Sequence, residues 1–217
     1  TSEEQNENDV KAQSPADIEA GAETQLRLMY TRHMKELKLT GNYLKNKKKK
    51  SEFEQLAYKN IGSFFSEAEK AVQLLAESQF QERLSYAKKT GELCHGSYNY
   101  HNIIFSNGNT AVTNFDKYKN ECQISDLYQF MRKILEKYDW DIQTAYKMME
   151  EYDKIKPVSD TERALLAALF AFPEKFWKVM NYYFNSNKAW IPPKTKEKLE
   201  KVVQQNEKRQ KFLETLL

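Results

Sequence analysis

The sequence predicts a mainly α-helical chain with one small β-hairpin, an α+β arrangement. Three observations carry this. Over most of the 217 residues, apolar side chains recur every three to four positions, the period of one helix face. Only six glycines and five prolines punctuate the chain, so the connections between helices should be short. One stretch alone reads as paired strands: Ile103, Ile104 and Phe105, then Asn107-Gly108, then Ala111, Val112 and Thr113. Asn-Gly is favoured in a two-residue hairpin turn because both positions need φ > 0.

In order along the chain, residues 1–22 read as a flexible arm or linker, rich in Glu, Gln, Asn, Asp and Ser with little to bury. From Glu23 a helix is expected, with Leu26, Tyr30, His33 or Met34, and Leu37 on one face and a weak point at Gly41-Asn42. His33 is expected as a packed residue on that face, not a ligand. Five lysines within 45–50 read as a solvated loop, or alternatively as a place where an anionic partner docks. Ser51-Glu-Phe-Glu54 is a capping box. It should open a long helix whose stripe of Phe53, Leu56, Ile61, Phe64, Phe65, Ala68, Val72 and Leu75 belongs to the core. A second helix over about 78–88 feeds a loop at 93–102.

Beyond the hairpin, 116–123 reads as a polar loop, followed by a helix from Ile124 with Asp126 in its first turn, where the helix dipole favours an acid. The next helix spans about 141–153 and is closed by Pro157. A second capping box, Ser159-Asp-Thr-Glu162, opens 164–172, apolar almost all round and therefore buried. Pro173 starts a helix with Phe176, Trp177, Val179, Met180 and Tyr183. After Pro192-Pro193 comes a last helix with Leu199, Val202, Val203, Leu213 and Leu216 on its apolar face.

Composition sets bounds on function. The chain is long enough for a substantial core, and its balance of 34 basic against 31 acidic residues, net +3, gives no reason to expect nucleic acid. Mean hydropathy is −0.82, with no apolar run of ~18 residues and no leader pattern, so no membrane role and a soluble intracellular protein are expected. Cys94 and Cys122 fit a reducing compartment. With His95 and His101 they match no zinc-ligand spacing, so Cys94 is expected as a small buried hydrophobe.

The chemistry is concentrated in Leu93-Cys-His-Gly-Ser-Tyr-Asn-Tyr-His-Asn102, with the hairpin bringing Asn114-Phe-Asp116 back beside Ser97 and Asn102. This loop resembles the His-Gly-Asp-x-x-x-x-Asn signature of aminoglycoside-phosphotransferase-like and choline-kinase-like enzymes. In that pattern the Asp orients or deprotonates the acceptor hydroxyl, the Asn holds Mg²⁺, and a second Asp after the hairpin holds the metals that bridge the nucleotide phosphates. His95, Gly96 and Asn102 match the signature. The base position is Ser97 and the second metal position is Asn114, so both carboxylates are missing. A serine hydroxyl is no base near neutral pH, and an amide oxygen neutralises none of the charge of a hard cation. The resemblance therefore implies a vestigial catalytic loop (His95, Ser97, Asn102), with Asp126 as its structural support and a vestigial or weak magnesium site at Asn102, Asn114 and Asp116.

The order of pieces is similar to the CotS family of spore-coat proteins: the basic loop and Ser51-Glu-Phe53, the Cys94-His-Gly96 loop, Ile124-Ser-Asp-Leu127, Phe172-Pro-Glu-Lys-Phe-Trp177, Asn181-Tyr-Tyr183 and Lys188-Ala-Trp190. The resemblance implies that 23–217 is the C-terminal lobe of a kinase-like fold, since no Gly-rich phosphate loop or strand lysine of a nucleotide lobe is visible. It also implies a cytoplasmic (mother-cell) and then spore-coat location, with other coat proteins as partners. Three functions stay open. The first is a catalytically inactive kinase-like coat component with a structural or interaction role, for which no cofactor is expected. The second is an active small-molecule phosphotransferase using Mg-ATP with a metal site shifted to Asp116. The third is a helical adaptor whose basic loop binds an acidic partner.

Overall fold

A computed structural model describes residues 15–77, 79–186 and 192–217, with side chains from Leu26 onward. It is mostly helical, with two small antiparallel sheets. Two long helices, α1 (Pro15–Asn46) and α2 (Glu52–Glu77), form an antiparallel hairpin, and α3 (Phe80–Thr90) leads into the sheet region. There lie β1 (Leu93–Cys94), β2 (Ile103–Ser106), β3 (Asn109–Val112) and β4 (Lys119–Asn120). Five helices follow: α4 (Ile124–Lys137), α5 (Ile142–Ile155), α6 (Asp160–Ala171), α7 (Glu174–Phe184) and α8 (Lys194–Glu214).

Three details differ from the sequence reading. Of the expected arm, 1–14 lie outside the described residues, while 15–22 are helical and α1 begins at Pro15. The helix also runs unbroken through Gly41-Asn42. Leu37 and Leu44 on either side are fully buried, and a Cβ at Gly41 would stand 3.6 Å from Ile61 of α2, so close α1–α2 packing overrides the local weakness. The segment 116–123 is not a plain loop: it carries a 3₁₀ turn (Phe115–Lys117) and β4, which pairs with β1 (Leu93↔Asn120, Cys94↔Lys119). The expected helix start at 78 and the motif at 188–190 lie outside the described residues.

Both capping boxes form as expected. Ser51 Oγ accepts from Glu54 N (3.3 Å) while Ser51 N donates to Glu54 Oε2 (2.8 Å). Ser159 and Glu162 exchange the same pair of bonds at the start of α6. From its cap, α2 buries Phe53, Ala57, Ile61, Phe64, Ala68, Ala71 and Leu75 on one face, each large apolar side chain contributing about 1.5–3 kcal/mol. The apolar α6 sits at the centre, with 165–171 all buried, packed by α2, α3, α4 and α8. Aromatic rings lock these helices together: Phe64 stacks on Phe176 at 3.9 Å, Tyr30 on Phe172 at 4.1 Å, and Phe170 meets Phe212 edge-on at 5.0 Å. His33 is buried and stacks on Trp177 at 3.4 Å, a packed residue as expected. The polar end of α6 is closed from α8: Arg209 donates to the Phe170 and Ala171 carbonyls (2.8 and 3.2 Å) and pairs with Glu67 of α2.

Candidate functional site

The site is the loop between β1 and β2 together with the residues just after β3. The register Ile103↔Val112 to Ser106↔Asn109 leaves Asn107-Gly108 as a two-residue turn, with φ of 49° and 78°. The hairpin thus returns the chain to Asn102: Thr113 N donates to the Asn102 carbonyl at 2.9 Å. At the other edge, the β1–β4 pairing ties the loop's entry to the segment after the hairpin, and buried Cys94 donates its S–H to the Glu121 carbonyl at 3.1 Å.

Inside this frame the loop is fixed from below and from both sides. Asp126, in the first turn of α4, accepts from the backbone N–H of His95 (2.6 Å) and of Gly96 (3.0 Å), a carboxylate on two amides. His95 Nε2 donates to the Thr113 carbonyl at 2.8 Å and its Nδ1 accepts from Ser97 N at 3.1 Å, so the ring bridges the loop to the end of the hairpin. Phe115 packs on that ring at 4.6 Å. Gly96 has φ +74°, and a Cβ there would fall 1.9 Å from the Lys117 carbonyl oxygen. Only glycine lets the two backbones approach this closely.

Five side chains then decide the chemistry: Ser97, Asn99, Asn102, Asn114 and Asp116. The Ser97 carbonyl accepts from Asn99 Nδ2 and from Asn102 Nδ2, both at 2.8 Å. Asn99 Oδ1 in turn accepts from His101 N, capping the 3₁₀ turn Tyr100–Asn102. Because Asn102 must turn its NH₂ to the Ser97 carbonyl, its Oδ1 faces the hairpin end. There it accepts from Asn114 Nδ2 at 2.8 Å. Asn114 holds φ 64°, the left-handed region that Asn tolerates. The Ser97 hydroxyl makes no hydrogen bond among the described residues. Asp116 is exposed in the 3₁₀ turn and has no hydrogen bond or ion pair to Asn102 or Asn114.

Of the residues singled out by sequence, His95, Ser97, Asn102, Asn114 and Asp126 therefore converge through the hairpin and the start of α4, while Asp116 stays at the edge. Magnesium does not fit this donor set. The set lacks the carboxylate that the signature places after the hairpin: the amide of Asn114 stands there, and its Nδ2 donates to Asn102 Oδ1 where a cation would need an anionic oxygen. Sequence reading missed Asn99, whose signal is the Asx pattern of a side chain bonding the backbone two residues on. It also missed the ionic cluster beneath the loop. Glu92 lies just ahead of β1 and pairs with Arg83 of α3 (2.7 Å) and Lys156 (2.6 Å), and Arg83 also pairs with Glu162 of α6 (2.7 Å). Burial pushes the Glu92 and Glu162 carboxyls up. For Glu92 the Gln123 backbone N–H, Lys156 and Arg83 outweigh it. For Glu162 Arg83 and Ser159 do, and both acids end below their ordinary range.

A family model described as "Spore coat putative kinase YutH" matches residues 22–216, nearly the whole chain and all of the site just described. The chain belongs to the YutH family of spore coat proteins. Spore coat protein S of Bacillus subtilis (strain 168) is 20% identical over 166 residues, 76% of this chain and 47% of that protein. This YutH-family chain thus spans about half the length of that curated relative. Among solved structures, an aminoglycoside phosphotransferase from Alicyclobacillus acidocaldarius superposes with a TM-score of 0.81 at 20% identity, over 88% of this chain and 57% of that one. That likeness establishes a phosphotransferase-like, kinase-like fold.

Proposed function

We propose that this YutH-family chain is the C-terminal lobe of a phosphotransferase-like fold that no longer transfers phosphate and serves the spore coat as a structural or interaction component. The observation that carries the reading is the 2.8 Å bond from Asn114 Nδ2 to Asn102 Oδ1. In the signature that the loop resembles, these two positions present oxygen to oxygen and are reconciled by a cation between them. Here the N–H of an amide takes the cation's place, so the loop keeps its shape with no charge in it. Ser97 at the base position has neither the charge nor the basicity to activate an acceptor hydroxyl. The supports persist without the chemistry: Asp126, the His95 ring and Gly96 still build the loop. A retained frame around a neutral centre fits a protein kept for its surface. The spore-coat family and the coat-protein relative support placement in the coat, with other coat proteins as partners; synthesis in the mother cell is part of the same proposal.

The test is transfer of labelled γ-phosphate from Mg-ATP to a panel of amino-sugar, choline-like and sugar hydroxyls, using the longest natural form of the protein. No transfer above background is expected. Transfer that disappears in Asp116→Ala would overturn the reading and assign the metal to Asp116.

A further inference from the structure

We infer that residues 45–50, the C-terminal end of α1 and the turn that leads to α2, are a preformed docking site for an acidic polypeptide segment. The inference goes beyond the proposed function and stands whether or not the loop at 93–102 is active. The turn lies at the opposite end of α2 from α3 and that loop, and the 26 residues of α2 span about 39 Å.

Five of these six residues are lysines, and two of them build the turn. Lys47 Nζ donates to Glu54 Oε1 at 2.6 Å and stands 5.6 Å from the Tyr43 ring centre. Lys50 Nζ donates to the Lys47 carbonyl at 2.7 Å and stands 4.9 Å from the Tyr58 ring. Lys47 N reaches back to the Tyr43 carbonyl (3.1 Å), and Gln55 Nε2 holds the Lys50 carbonyl (3.2 Å). These bonds, with the Ser51/Glu54 capping box, fix the backbone of the turn. The other three lysines, Lys45, Lys48 and Lys49, are exposed and have no hydrogen bond or ion pair among the described residues. The acids nearest in sequence are taken: Glu54 by Lys47 and the cap, Glu52 by Lys196 of α8.

A mobile loop would let three like charges spread apart. This one holds them on a tied backbone, so their repulsion stands in the folded state and a carboxylate-bearing partner relieves it without having to order the turn. The chemistry favours carboxylates over phosphates. No arginine offers the bidentate fork that suits phosphate. The N-terminus of α2 already holds a carboxylate of its own: Glu54 Oε2 accepts from Ser51 N, and Glu54 N is bonded to Ser51 Oγ. Three point charges on flexible stems match side-chain carboxylates spread along an extended chain. Exposed Tyr43 and Tyr58 at the flanks add apolar contact.

The experiment measures affinity of the full chain for an oligoglutamate peptide across a salt series, for three forms: wild type, Lys45→Glu/Lys48→Glu/Lys49→Glu, and a control set Lys89→Glu/Lys147→Glu/Lys201→Glu with the same change in net charge. Wild type is expected to bind, more weakly as salt rises. The turn variant should lose about tenfold or more and the control set less than about twofold, with the thermal midpoint unmoved in both. If the glutamate variant fails to fold, Lys45→Gln/Lys48→Gln/Lys49→Gln carries the same expectation. Equal losses in the two sets would overturn the inference in favour of net charge alone. Tighter binding of a DNA duplex than of oligoglutamate at equal salt, lost in the turn variant, would overturn it in favour of nucleic acid.

Discussion

At Asn114 one nitrogen stands where the signature has an oxygen, and the local electrostatics change sign. A carboxylate there would face Asn102 Oδ1 with no proton between them, whereas the amide donates to it at 2.8 Å. Asn114→Asp should therefore cost about 1 kcal/mol of stability in chelator. Millimolar Mg²⁺ should recover part of that loss in the variant and leave wild type unchanged, read by urea denaturation. The support residues should behave differently. Asp126→Asn keeps only one acceptor oxygen for the two N–H groups of His95 and Gly96 and should lose about 1.5–3 kcal/mol, with or without Mg²⁺. The run His95-Gly96-Ser97, with Asn102 five residues after Ser97, and the first-turn Asp126 were all legible as sequence. The pairing of Asn102 with Asn114 was legible only as proximity, because which amide donates depends on the Ser97 carbonyl, a main-chain atom that no spacing rule locates. Gly96 was read as part of the signature; its physical reason, the Lys117 carbonyl 1.9 Å from a would-be Cβ, appears only once β1 and β4 are paired.

Among the elements, the long helices were legible because their apolar period and caps are local properties. Ser51-x-x-Glu54 and Ser159-x-x-Glu162 announce helix starts, and both caps form. Strands of two residues carry no period, so β1 and β4 were invisible until Leu93 was brought to Asn120 and Cys94 to Lys119. The Arg83 cluster escaped for the same reason: its members come from α3, the residue before β1, the residue after α5, and α6. Arg83→Met should cost about 3 kcal/mol, since Glu162 stays buried without its cation while the half-buried Glu92 keeps Lys156. It should also change the acid limb of stability. Both carboxyls titrate below their ordinary range in the folded protein, so their contribution is complete above the unfolded carboxylate pKa of about 4.3 and is lost as pH falls through the lower folded value. Wild-type melting temperature should therefore drop as pH falls below about 5. In Arg83→Met, where the folded values rise toward the unfolded one, that drop should be shallower.

Across the whole molecule, a helical core around α6 supports a small polar frame whose parts are intact and whose charged centre is neutral. The family match and the 0.81 superposition on a phosphotransferase place the fold. The reading of the loop as retained shape with lost chemistry comes from Ser97, Asn102 and Asn114. It is tested most directly by calorimetric titration of Mg-ATP into the longest natural form of the protein, beside its Ser97→Asp/Asn114→Asp variant. The account predicts no magnesium-dependent binding by wild type and binding gained by the double variant. Magnesium-dependent binding of ATP by wild type would contradict it.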